Sequence, residues 1–142
     1  MASAILGIVL DSSAVITAER RRLGVVEFIE EILKAYGAVD LSVSPVTVAE
    51  LAHGVYRAKD QEISARRRAY IEELLSLIPV HPMTARTAWL AGQIEGEQAA
   101  TGNVLPLNDL LIAAAALEQG YAVLTHNLRH FTKVPGLTVV SL

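Results

Sequence analysis

Four separated positions carry the residue types from which a catalytic site could be made. Asp11 closes the aliphatic run AILGIVL (4–10), and Glu50 lies in the second turn of the segment opened by Ser44 and Pro45. Asp109 stands directly before eight consecutive apolar residues, Leu110 to Leu117, and Asn127 ends the polar triplet THN (125–127). Carboxylates brought within a few ångströms of one another repel, so they must take up protons or bind a cation. With no Cys in the chain and no paired His at metal-ligand spacing, the donors are oxygen atoms, which select Mg²⁺ or Mn²⁺ over Zn²⁺. Such ions held on several carboxylates suit hydrolysis of a phosphodiester.

Each residue also has a plain structural reading. Asp11, followed by Ser12 and Ser13, has the form of a helix cap, and Asp109 that of a first-turn acid facing the helix dipole. Glu50 shares a helical stripe with Thr47, Gly54 and Arg57 and reads equally as solvent-facing. Asn127 has the character of a turn residue. His53, His81, His126 and His130 are scattered, and isolated histidines are more often structural. An aspartyl-phosphate phosphatase also uses an Asp after the first strand, but needs a second Asp where Ser13 stands.

The elements that must position these residues follow from periodicity. AILGIVL (4–10) reads as a buried parallel-type strand. VVEFIEEILKAYG has the spacing of an amphipathic helix stopped by Gly37, and LSV (41–43) is a second strand. Ser44 and Pro45 start a helix expected to end near Lys59. QEISARRRAYIEELLSL is a further helix, IPVHPM (78–83) a third strand, and TARTAWLAGQIEGEQAA a helix stopped by Gly102. The helix holding Asp109 runs to Gly120. YAVLTH (121–126) and GLTVVSL (136–142) complete an expected set of five strands. Strands alternating with helices imply an α/β fold with a mainly parallel sheet covered on both faces. Ligands of such sheets collect beyond the carboxyl ends of the strands, where Asp11, Glu50, Asp109 and the THN triplet all fall.

The 142 residues suit one domain. Hydrophobic residues make up 52% and aromatic residues 5%, so the core is aliphatic and alanine-rich, with apolar surface to spare for oligomerisation. No run approaches the roughly 20 apolar residues of a membrane-spanning helix. MASAILGIVLD has no Lys or Arg ahead of its apolar part and reads as a strand rather than a secretory signal. The absence of Cys favours a cytoplasmic location. Net charge is −3, which argues against general coating of nucleic acid. Arg20, Arg21 and Arg22 form one local basic cluster, however, and Arg57, Lys59, Arg66, Arg67 and Arg68 another. Either can guide phosphates or simply be a solvated helix face.

GIVLDSSAVI, VSPVTVAELAHGV and LPLNDLLIAAAALEQGYAVLTHNLRHFTKVPGLTVV, in this order and spacing, resemble the PIN domain of VapC-type toxins over nearly the whole chain. The resemblance implies a single PIN domain over residues 1–142, folded as a three-layer α/β/α sandwich with a sheet of four to five strands. It also implies Mg²⁺- or Mn²⁺-dependent endoribonuclease activity. The family's acidic positions map onto Asp11, Glu50 and Asp109, and its fourth position, an Asp or Asn, falls on Asn127. Ser12 and Thr125 are the supporting polar residues, and Arg20, Arg21, Arg22, Arg57 and Arg66 the candidates for RNA contact. Implied partners are an RNA such as transfer or ribosomal RNA, a cognate antitoxin protein and a second copy of the chain. A PIN-like module that binds RNA or protein without cutting is the competing expectation.

Overall fold

Four short strands, all parallel, form the centre of the computed structural model, which describes residues 5–142. Their order is β2 (Asp40–Val43), β1 (Gly7–Leu10), β3 (Ala122–Leu124), β4 (Val139–Val140). The strand expected over residues 4–10 begins only at Gly7, and Ala4 lies outside the described residues. β1 is buried on both faces, as a central parallel strand must be. Ile8 and Leu10 point into one core with Val15, Phe28, Ile32 and Leu74. Val9 points into the other with Val123, Ile94, Ile112 and Phe131.

The first core is roofed by α1 (Ser12–Arg20), α2 (Val25–Tyr36), α3 (Pro45–Tyr56) and α4 (Gln61–Leu77). The second lies beneath α5 (Ala85–Ala100), α6 (Leu107–Gln119) and the one-turn α7 (Leu128–Phe131). The result is the expected three-layer α/β/α arrangement. Ala113 to Ala116 are all buried, because only small side chains let α6 pack closely against both α5 and the sheet. Gly120 ends α6 in the left-handed conformation, φ 70°, where a side chain would be strained. At Gly7 a Cβ would lie 2.5 Å from the Tyr121 ring, so glycine permits that ring to cover the strand.

Several boundaries differ from those expected. IPVHPM forms no strand; Val80 makes only an isolated bridge to Val43, since the prolines at 79 and 82 cannot donate to a ladder. The strands expected at 121–126 and 136–142 shorten to three and two residues. The helix begun by Ser44 ends at Tyr56, ahead of Asp60, whose side chain accepts from Ile63 N to start α4. α7 was not anticipated, and α1 only as the helix that a capping Asp11 would open. No helix is long and apolar enough to cross a membrane among the described residues.

Candidate functional site

Parallel strands place all their carboxyl ends on one edge, and the helices that follow β1, β2 and β3 start there. α6 reaches the same edge from the opposite direction, since its C-terminus feeds β3 through Gly120 and its N-terminus is therefore beside the strand ends. Asp11, Glu50, Asp109 and Asn127 come from four different elements and are gathered along this edge.

Asp11 extends β1, its N–H donating to Leu124 O at 3.0 Å. It occupies the N-cap position of α1 but makes no side-chain cap bond. Its Oδ2 instead accepts from Ser13 Oγ at 2.7 Å and from Thr125 Oγ1 at 2.8 Å. Those hydroxyls are themselves oriented: Ser13 Oγ accepts from His126 N and Thr125 Oγ1 from Asn127 N, at 3.0 and 2.8 Å. With their lone pairs engaged by backbone N–H groups, both hydroxyl hydrogens turn to the carboxylate. Asp11 is only 4% exposed, so these bonds offset much of its desolvation.

Glu50 is positioned by α3, which Ser44 caps through Val46 N and which Thr47 ties to the end of β1 through Leu10 O at 3.1 Å. Thr47 is completely buried and Glu50 half-buried, so the stripe faces the protein at this end and reaches solvent only at Arg57. Glu50 accepts from Ser12 Oγ at 3.1 Å. Burial pushes the Glu50 carboxyl above its ordinary pKa; the hydrogen bonds from Ser12 and Asn108 oppose the rise, and the charges of Asp11 and Asp109 add to it.

Asp109 lies in the first turn of α6, and its Oδ2 is 2.6 Å from His130 Nδ1. Its pKa is also raised, first by burial; His130 lowers it and the Asp11 charge raises it. Glu50 and Asp109 thus both feel the Asp11 charge. Asn127 makes no side-chain cap bond at α7, and its Nδ2 is 2.8 Å from the same His130 nitrogen. His130, Ser13 and Asn108 were not singled out from the sequence. The only signal for His130 was its spacing, three residues beyond Asn127 on what proves to be one helical turn.

Among the described residues, no three His, Cys, Asp or Glu side chains converge tightly enough to hold a metal ion as they stand. The physical reason is visible in the pairings: the acids repel one another, and each turns to its own donor. The donor chemistry nevertheless fits a hard divalent cation, because three carboxylates share one edge and two are under-compensated.

Beside them, Ser12, Ile16, Ala49, Glu50, His53 and Asn108 line an open groove of about 480 Å³. A larger open depression, about 820 Å³ over Ala85, Ala88, Trp89, Gly92 and Gln93 on α5, has no ionisable lining residue and shares none with the acidic groove. Of the basic candidates, Arg20 lines a cleft together with Glu50. Arg21 is paired with Glu31 at 3.2 Å, and Arg22, Arg57 and Arg66 are exposed outside both clefts that include Glu50.

Residues 8–137 match the protein family described as PIN domain. The chain is 34% identical over 130 residues to "Ribonuclease VapC2" of Haemophilus influenzae, covering 90% of this chain and 92% of that protein. It is 31% identical over 99 residues to the "tRNA(fMet)-specific endonuclease VapC" of Salmonella typhimurium, covering 70% and 73%. Among solved structures, DNA-bound VapBC from Salmonella typhimurium superposes with a TM-score of 0.79 at 25% identity, covering 96% of this chain and 98% of that one.

Proposed function

The chain belongs to the PIN-domain family, and from that premise we propose that it is an endoribonuclease toxin of the VapC type, hydrolysing RNA phosphodiesters at the acidic edge of its sheet. The observation that carries this reading is the mutual placement of Asp11, Glu50 and Asp109, in which Glu50 and Asp109 are both pushed towards their protonated forms by burial and by the Asp11 charge. Relatives that carry ribonuclease and endonuclease names along most of their length support the same reaction.

Asp11, Glu50 and Asp109 are the residues that would hold Mg²⁺ or Mn²⁺, with Asn127 as a neutral fourth donor. The ion supplies charge for the phosphate and acidity for the attacking water. Ser13 and Thr125 keep Asp11 in one orientation, and Ser12 does so for Glu50. The N-termini of α1 and α6 add positive potential to an edge that must receive an anionic substrate. Arg20, which lines a cleft together with Glu50, is the basic candidate for contact with an RNA backbone.

Transfer RNA is the substrate class to try first, given the name of the Salmonella relative. An antitoxin protein is the expected restraint, and VapBC is the named content of the superposing structure. A homodimer in the cytoplasm completes the proposal. Purified, antitoxin-free protein should cut total bacterial RNA at discrete positions with Mg²⁺ or Mn²⁺, and lose that activity in EDTA and in Asp109→Asn. Folded protein that cuts nothing would favour a PIN-like module that only binds.

A further inference from the structure

We infer that His130 is the positioning residue for Asp109, a donor dedicated to one metal-binding carboxylate; the inference rests on the metal-nuclease reading above. The other two acids each have a donor from the start of α1: Ser13, with Thr125, for Asp11 and Ser12 for Glu50. Asp109 has no comparable partner on its own helix, whose N-cap is a proline that makes no side-chain cap bond. His130 fills that place from 21 residues away in sequence.

The chain around His130 is built to hold it there. α7 is a single turn, and it is anchored by the adjacent Phe131, fully buried in the core beneath α6. The imidazole is partly exposed, with 37% of the side chain accessible, so it adds little to the core and its orientation is set by polar neighbours. Nδ1 carries either one hydrogen or one lone pair, and it faces both Asp109 Oδ2 and Asn127 Nδ2. An ionised carboxylate is the stronger acceptor, so Nδ1–H donates to Asp109; Nδ1 then has no lone pair for an Asn127 N–H, and the Asn127 amide turns its carbonyl oxygen to the ring in this state. His130 thereby ties α7 to the first turn of α6 and confines Asp109 to the rotamer in which Oδ2 is engaged and Oδ1 remains for a cation. Outer partners of this kind orient carboxylate ligands and are felt in metal affinity.

The test is Mn²⁺ titration, by calorimetry or by the electron spin resonance of free Mn²⁺, on the full antitoxin-free chain. His130→Asn keeps an N–H at the same number of bonds from Cβ as Nδ1, whereas His130→Phe keeps a ring and removes the donor. His130→Phe should weaken Mn²⁺ binding about 10- to 100-fold, and His130→Asn should bind close to the parent. Equal affinity in all three proteins, or an equal loss in both variants, overturns the inference. A long-range ¹⁵N correlation spectrum of the parent should show hydrogen on Nδ1; a neutral ring with hydrogen on Nε2 alone overturns it independently of any variant's folding. A parent that takes up no Mn²⁺ overturns the metal-nuclease reading itself, an outcome distinguishable because it needs no variant.

Discussion

The strand side and the helix side of the acidic edge hold their carboxylates by different means. Asp11 continues a central strand, is almost wholly buried, and receives two hydroxyl hydrogens that backbone N–H groups have already oriented. Glu50 and Asp109 project from early turns of α3 and α6, are half-buried, and have pKa values raised by desolvation that their hydrogen bonds do not cancel. A buried acid given enough donors becomes an anchor. A buried acid given too few carries charge that the fold leaves uncompensated, and that is the condition in which a cation binds.

The largest expected effect is on the anchor's charge. Asp11→Asn should leave the fold intact, judged by circular dichroism, and reduce RNA cleavage by more than the roughly 100-fold typical of an outer partner. An undiminished rate would remove Asp11 from the site. Thr125→Val keeps the shape but deletes one hydroxyl from Asp11 and the acceptor of Asn127 N. It should cost about 1–3 kcal/mol in urea unfolding, and a neutral result would mean that the strand alone orients Asp11.

On the helix side the sign reverses. Because folding raises the Glu50 pKa, the folded chain holds that proton more tightly than the unfolded chain. The group therefore favours folding below the ordinary carboxylate pKa, and this contribution is lost as pH rises through the raised folded value. In metal-free protein Glu50→Gln should raise Tm at neutral pH, by an increment that shrinks as pH is lowered into the carboxylate range. A lowered Tm at neutral pH would place Glu50 among the anchors.

The smallest effect is a control on a residue outside the acidic set. Tyr70 has a buried hydroxyl with no hydrogen-bond partner among the described residues, and burial, helped by the Glu19, Glu73 and Glu27 charges, pushes its pKa up to about 12. A tyrosinate absorbance titration should show Tyr70 ionising late, towards about 12, with Tyr121 also displaced upward by burial and by Asp40, and the late step should vanish in Tyr70→Phe. The stability tied to that proton should be lost as pH climbs from the ordinary phenol value towards about 12. Titration of all four tyrosines together at the ordinary value would mean that Tyr70 is solvated.

Long helices were legible because their signals are local. Ser44–Pro45 starts α3 and Gly120 stops α6 where expected, since capping depends on a few neighbouring backbone groups. Short strands were overread: IPVHPM has strand-like composition and a neighbour in β2, but its prolines withhold the N–H donors that a ladder longer than the single Val80–Val43 bridge needs. α1 was obscured because its polar face, with Thr17, Glu19 and Arg20, follows directly on an aliphatic strand. For the site, the types and approximate edge of Asp11, Glu50, Asp109 and Asn127 could be read, whereas His130 could not, because nothing near it in sequence indicates a partner 21 residues earlier.

By itself, the sequence determined which residues can carry negative charge, where capped helices such as α3 start and where α6 stops, and that a mainly parallel α/β sheet would bring strand ends and helix N-termini to one edge. These are consequences of side-chain chemistry and of hydrogen bonds between near neighbours. Only the tertiary structure decided that Asp11 is no cap, that Ser13 and Thr125 converge on one of its oxygens, and that His130 closes on Asp109. Desolvation and hydrogen-bond geometry depend on groups from distant segments meeting within 3 Å, and no local pattern encodes such a meeting.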